Sequence, residues 1–335
     1  MKALVLEAAD GLQCAVVKDV ETPSPKAGEV LVAIKAAALN HRELWITRGQ
    51  YPGMVPTPFT MGCDGAGVIE SVGQGVDVRR IGEAVVLYPG LNWGSDPRFP
   101  AAGFGTLGMP GPGTIAEKIN VPAASAVAKP PHLSFEQSAA IGLAGLTAWR
   151  GLNTKGGLKS GEKLLVTGIG GGVALFALQF ATRLGAQVYV TSGSEETIAR
   201  AVSLGAQAGF NYKDEGWRKA LPKASGGIDL AFDGAPGASY SNYARALNLG
   251  ARVVVYGSTG GVQFNVNAPE LFLKNINIMG TNIGNLDEFK AMLGFVERHR
   301  LEPLIERRFP LQSAAEGLSF LQDGHRIGKI VITIP

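Results

Sequence analysis

The chain has 335 residues, with 31 lysines and arginines against 28 aspartates and glutamates, and 46% of it is hydrophobic. The net charge of +3 is spread without a basic run or an aromatic-basic cluster, which argues against nucleic acid, and no uncharged apolar stretch reaches the ~18 residues of a membrane span. At roughly 150 residues per domain two domains are expected, while two isolated cysteines, Cys14 and Cys63, and a start that reads as a first strand rather than a signal peptide point to the cytoplasm.

To about residue 125 the chain is β-rich and heavily punctuated. Segments 30–35, 67–72 and 83–87 read as short strands bounded by turn formers such as Pro23, Pro25, Gly73, Gly75 and Pro89. Residues 91–113 carry Gly, Pro, Asn and Asp with little apolar periodicity and read as a long loop, the kind that covers a site or meets a partner. Helical spacing begins at the capping box Ser134-x-x-Gln137 and continues to residue 152. Residues 163–192 then read as strand, Gly-rich turn, helix and strand. Helices over 195–204, 214–224 and 240–249 alternate with strands over 208–212, 227–233 and 251–257, which predicts a doubly wound parallel sheet. Past Gly257 the alternation weakens; a helix over 286–297 and a final strand over 329–334, returning to the first domain, are expected.

The Gly-rich turn has the chemistry of a pyrophosphate cradle. Gly168 can make the tight turn, Gly170, Gly171 and Gly172 let backbone approach a ligand, and from Val173 the helix N-terminus offers free N–H groups to an anion, with Ala174 small enough for helix-on-strand packing. The next strand ends in Ser192, Gly193 and Ser194 with no carboxylate before Glu195. A carboxylate there would bind a ribose 2′-hydroxyl and repel a 2′-phosphate, whereas serines can donate to the phosphate, so NADPH is expected over NADH. Arg200 and Lys213 can add positive charge, or can be ordinary solvated side chains.

With these residues in view, the whole chain resembles the medium-chain dehydrogenase/reductase superfamily, in its zinc-independent quinone oxidoreductase-like branch. The resemblance rests on Leu39-Asn-His-Arg-Glu43 with Gly49-Gln-Tyr-Pro52, Gly62-Cys-Asp-Gly-Ala-Gly67, Leu143-Ala-Gly-Leu-Thr-Ala-Trp149, the turn at 168–174, Asn211-Tyr212 and Gly328-Lys-Ile-Val331. It implies an α/β chain: a GroES-like β-rich catalytic domain over 1–124, completed by 265–335, and a Rossmann doubly wound parallel-sheet domain over 125–264 that binds NADPH, with the active site in the cleft between them. It also implies a homodimer. By the same resemblance Asn40, Tyr51 and Thr147 face the nicotinamide half, Tyr212 belongs to the cofactor site, and Gly257 and Ser258 lie at a strand end where such sheets bind ligands.

Zinc-containing relatives carry cysteine where this chain has Asn40, histidine where it has Cys63 and commonly cysteine where it has Leu143. Catalytic zinc takes about three protein ligands, so no zinc is expected, although an unusual set of Cys63, Asp64 and His41 stays open. Asp64 reads as a structural carboxylate paired with an arginine, and loop 91–113 contains none of the four cysteines of a structural zinc lobe. Without a metal, catalysis rests on position and hydrogen bonding, which suits hydride transfer to a quinone or an α,β-unsaturated carbonyl. Asn40 and Tyr51 are the candidate substrate partners, Tyr51 as proton donor or else as an apolar lid residue; Arg42 and His41 can polarise an oxyanion. His132, His299 and His325 read as exposed and without chemistry. Trp45, Tyr51, loop 91–113 and residues 281–286 would shape the pocket for a small carbonyl or quinone. An alcohol or acyl-thioester reductase, and a non-enzymatic NADPH-binding protein with a structural or RNA-contacting role, are the alternatives.

Overall fold

The computed structural model describes residues 1–324 and 327–335, so His325 lies outside the described residues. The chain forms two compact units, 1–144 with 285–335, and 145–284. These limits correct the expected borders by twenty residues at each crossing.

The first unit opens with β1 (Lys2–Leu6), β2 (Ala15–Asp19), β3 (Glu29–Ala38), α1 (His41–Thr47), β4 (Phe59–Thr60) and β5 (Asp64–Val72). It continues through β6 (Ala84–Leu87), β7 (Gly90–Leu91), β8 (Gly105–Thr106), β9 (Lys118–Pro122), β10 (Ala126–Ala128) and α2 (Phe135–Trp149). Strand β3 is the spine. Val30, Val32 and Ile34 alternate into the apolar core, a bulge opposite β5 follows, and the core residues then become Ala37 and Leu39. That change of phase sets Asn40, the next residue, off the apolar core. The expected loop is irregular apart from the two-residue pair β7–β8. At Ser134 the capping box is present: Gln137 N–H donates to Ser134 Oγ and Ser134 N–H donates to Gln137 Oε1.

The second unit runs through β11 (Lys163–Val166), α3 (Gly172–Arg183), β12 (Gln187–Ser192), α4 (Glu195–Ser203), β13 (Ala208–Asn211), α5 (Trp217–Ser225) and β14 (Ile228–Asp233). It ends with α6 (Pro236–Tyr243), β15 (Leu247–Val255), α7 (Ala268–Lys274) and β16 (Asn277–Gly280). Its six strands lie in the order β13-β12-β11-β14-β15-β16, every pair parallel. Leu164, Leu165 and Val166 of β11 are fully buried, as expected of a strand covered on both faces. Residues 240–249, expected as one helix, divide instead: α6 ends at Tyr243 and β15 begins at Leu247. The apolar residues there satisfy both periodicities, and pairing with β14 decides for strand.

The chain then returns to the first unit as α8 (Leu286–Arg298), β17 (Ile305–Pro310), α9 (Ala314–Asp323) and β18 (Lys329–Thr333). As expected, the last strand returns to the first unit, pairing antiparallel with β3 and parallel with β17. Residues 125–144 belong here because β10 pairs with β6, and residues 265–284 belong to the second unit because β16 extends its sheet beside β15. Both strands are too short to show a period of their own. Among the described residues no helix is long and apolar enough to cross a membrane.

Candidate active site

In the first unit the ends of β3, β5 and β18 and the middle of α2 deliver a closed polar cluster. Lys329 Nζ donates to Asn40 Oδ1 at 2.5 Å and to Asp64 Oδ2 at 3.3 Å. Asn40 Nδ2 donates to Asp64 Oδ2 at 2.8 Å and lies 3.4 Å from Cys63 Sγ. Leu143 N–H, in mid-helix, donates to Asp64 Oδ1 at 2.6 Å. That approach needs Gly142, because a Cβ there would sit 2.2 Å from the same oxygen. Glu43 accepts from Asn40 N–H at 2.6 Å. Glu43, Cys63 and Asp64 are fully buried.

This arrangement revises three expectations. The Asn40 amide, expected to face substrate and cofactor, spends its oxygen on Lys329 and its nitrogen on Asp64 and Cys63, so its role is internal. Asp64 is indeed a structural carboxylate, but its cation is Lys329 and not an arginine. His41 is exposed, its ring edge-on to Trp45, and the set Cys63, Asp64 and His41 is not assembled. Burial first, then the charges of Asp64 and Glu43, push the Cys63 thiol well above its usual range. Cysteine binds zinc as thiolate. Asp64 is already occupied by an ammonium, an amide and a backbone N–H, Asn40 and Leu143 offer neither thiolate nor imidazole, and among the described residues no three His, Cys, Asp or Glu side chains gather to hold a metal.

Arg42 points away from this cluster. Its guanidinium donates to the carbonyls of Leu107 and Met109, lies 3.6 Å from Glu43 and covers the half-buried Tyr51 ring at 4.8 Å from its centroid. Expected as an oxyanion partner, it is placed as a brace joining α1, Tyr51 and the end of loop 91–113. Burial opposes its charge most, and the Glu43 carboxylate 3.6 Å away favours the charged form. His132 and His299 are half-buried, not exposed: His132 Nε2 pairs with the Leu301 carbonyl and His299 packs on Phe295.

A cavity of about 440 Å³ in the same unit is walled by Leu91, Trp93, Pro97, Asn285, Leu286 and Asp287, among others. The first part of loop 91–113 and the start of α8 line it, whereas Trp45 and Tyr51, expected to shape the substrate pocket with that loop, are not on its wall.

In the second unit the turn after β11 has the form of an anion cradle. Gly168 and Gly170 take φ of +63° and +129°, which few other residues adopt, and open space surrounds the Cβ positions of Gly168 and Gly171. Gly168 N–H donates to Thr191 Oγ1 and Ile169 N–H to the Thr191 carbonyl, so β12 pins the turn. With Gly171 as N-cap and no side chain capping it, the first N–H groups of α3, from Gly172 and Val173, remain for a ligand. These features fit a dinucleotide pyrophosphate. Thr147 is buried in the last turn of α2.

At the end of β12, Ser192 Oγ accepts from Ser194 N–H, and Ser194 Oγ accepts from Thr197 N–H as the N-cap of α4. Each hydroxyl thus keeps its hydrogen to give. Exposed Tyr212 and the Lys213 stem lie against Gly193, where a Cβ would meet them at 2.7 Å and 2.9 Å. Glu195, the nearest carboxylate, accepts from Asn211 Nδ2 at 2.7 Å. Arg200 belongs to the last turn of the nine-residue α4, roughly 9 Å along the axis from Ser194 at ~1.5 Å per residue, so Lys213 and not Arg200 is the cation beside the serines. Gly257 and Ser258 follow β15, and the Thr259 N–H and hydroxyl both donate to the Gly234 carbonyl beyond β14.

The description alcohol dehydrogenase GroES-like domain matches residues 26–131, and zinc-binding dehydrogenase matches residues 172–298. The zinc-type alcohol dehydrogenase-like protein YogA of Leptosphaeria maculans is 36% identical over 94% of this chain and 93% of its own length. The chain belongs to the medium-chain dehydrogenase/reductase superfamily, in its quinone oxidoreductase-like branch. Another relative in the superfamily, the quinone oxidoreductase of Rattus norvegicus, is 28% identical over 94% of this chain and 92% of its own. A solved NAD-dependent alcohol dehydrogenase superposes with a TM-score of 0.95 at 34% identity, with both chains fully covered. As a superfamily member the protein is an oxidoreductase that uses a nicotinamide dinucleotide.

Two residues went unassigned in the sequence and carry much of this geometry. Lys329 heads the largely apolar strand β18, and Asp233 ends the apolar run Leu230-Ala-Phe232 of β14. A lone charge bordering such a run is the signal that was available, since a charge carried into the interior needs a partner there.

Proposed function

We propose that this protein reduces quinones or α,β-unsaturated carbonyls with NADPH and without a metal. The observation that carries the reading is the Lys329-Asn40-Asp64-Leu143 network, which fills with internal hydrogen bonds the place where metal-dependent relatives keep their ligands. NADPH supplies hydride when bound. Gly168, Gly170, Gly171, Gly172 and Val173 would hold its pyrophosphate, and Ser192, Ser194, Tyr212 and Lys213 its 2′-phosphate. Thr147, Gly257 and Ser258 are assigned to its nicotinamide half. Tyr51 is the hydroxyl that meets the substrate oxygen, held in place by Arg42. A conjugated acceptor suits such a site, since charge passes to an oxygen that one hydroxyl can serve.

A second copy of the chain is the proposed partner. Strand β16 is a sheet edge, and Leu249, Phe272 and Leu273 are exposed on the elements beside it. The cytoplasm is the proposed compartment. Consumption of NADPH and NADH is to be measured against a panel of quinones, enals, alcohols and acyl thioesters, with elemental analysis of the purified protein. Turnover of quinone or enal with NADPH and no stoichiometric metal is expected. About one zinc per chain overturns the metal-free reading, and binding of NADPH without turnover of any panel member overturns the enzyme.

A further inference from the structure

Asp233 ends β14 in full burial and accepts four hydrogen bonds, none from a charged group. Thr167 Oγ1 donates to Oδ1 at 2.6 Å and Ala235 N–H at 2.8 Å; Ser239 Oγ donates to Oδ2 at 2.6 Å and Tyr243 Oη at 2.8 Å. Burial and then the Asp233 charge push the Tyr243 hydroxyl well above its usual 10.0, so Tyr243 stays a donor. Four donors thus converge on the two side-chain oxygens.

Its place in the sheet gives this charge a use. In the order β13-β12-β11-β14-β15-β16 the sequence order reverses between β11 and β14, and sheets of this kind bind ligands at that switch point, beyond the strand ends. The Asp233–Thr167 bond spans it, one residue before Gly168 on one side and, through Gly234, against Gly257 and Thr259 on the other.

We infer that Asp233 places a fixed negative charge at the coenzyme edge of the sheet, where it favours the positively charged oxidised nicotinamide dinucleotide over the neutral reduced one. In the low-dielectric interior no nearby cation cancels the field among its four partners, and the charge acts without touching the ligand. Tighter holding of the oxidised form makes hydride transfer out of the bound reduced form more favourable, which suits a reductase. The inference rests on the reading that the second unit holds a nicotinamide dinucleotide, and not on which acceptor is reduced.

Asp233→Asn separates charge from scaffolding. Its amide oxygen can keep Thr167 and the Ala235 N–H, while its NH₂ can donate to the Ser239 and Tyr243 oxygens. Dissociation constants for NADP⁺ and NADPH, and for NAD⁺ and NADH, are to be measured by titration calorimetry on wild type and variant. In the variant, binding of each oxidised form is expected to weaken about tenfold relative to its reduced partner. Equal weakening of both forms, or no change, overturns the inference. Should the variant fail to fold, Tyr243→Phe takes one donor from the carboxylate and leaves its charge, so the oxidised form should gain several-fold over the reduced; a shift the other way, or none, overturns it. A preference for NADH would overturn the NADPH proposal alone, because the charge sits on the nicotinamide in both coenzymes. Absence of binding by all four overturns both.

Discussion

Asp64 shows how little freedom the centre of the first unit allows. Its two oxygens take an ammonium, an amide and a main-chain N–H, and one glycine admits them. Lys329→Met leaves that carboxylate buried without its cation and is expected to cost about 3–5 kcal/mol in urea unfolding. Gly142→Ala inserts a methyl where the carboxylate stands and should cost about 1–3 kcal/mol, as overpacking does. Arg42→Lys keeps the charge but not the planar fork that reaches two carbonyls while covering Tyr51. A fall in kcat of about tenfold, with the KM for NADPH unchanged, is expected in steady-state assays with a quinone; an unchanged kcat would leave Arg42 a structural brace only. The types of Asn40, Cys63 and Leu143 alone argued against zinc. Where the Asn40 amide points depends on Lys329, which lies 289 residues away along the chain.

At the scale of elements, the turn between β11 and α3 needed little from the rest of the molecule. Glycines with positive φ, an uncapped helix start and a buried apolar strand are local properties, and spacing alone revealed them. The phosphate end of the site was less legible. Arg200 and Lys213 looked equivalent as cations, but α4 carries Arg200 away from Ser194, while the turn after β13 brings Lys213 against Gly193. Lys213→Ala should raise the dissociation constant for NADPH about tenfold and leave that for NADH unchanged, with Arg200→Ala nearly silent in the same titration. Residues 240–249 misled because a short apolar run fits helix and strand alike, and only the neighbouring β14 chooses.

The whole molecule should be sensitive to alkali. The Cys63 thiol and the Tyr243 hydroxyl are raised well above their ordinary 9.0 and 10.0, burial being the first cause of each, and burial likewise raises Tyr256. As pH climbs past those values the unfolded chain releases these protons while the folded chain keeps them. The folded state then holds more protons, and its stability must fall with rising pH. Each such group contributes a slope of about 1.4 kcal/mol per pH unit, so Tyr243→Phe should flatten the decline between about pH 10 and 11 by that amount in urea titrations. By itself the sequence determined what is local: the βαβ unit, the cradle, the lack of zinc-type side chains at Asn40 and Leu143 and the alternation that makes a parallel sheet. Tertiary structure alone decided where the units divide, that the final strand brings Lys329 to Asp64, and that Asp233 spans β11 and β14. Strand order and burial join residues hundreds of positions apart, and a periodicity read along one segment does not contain them.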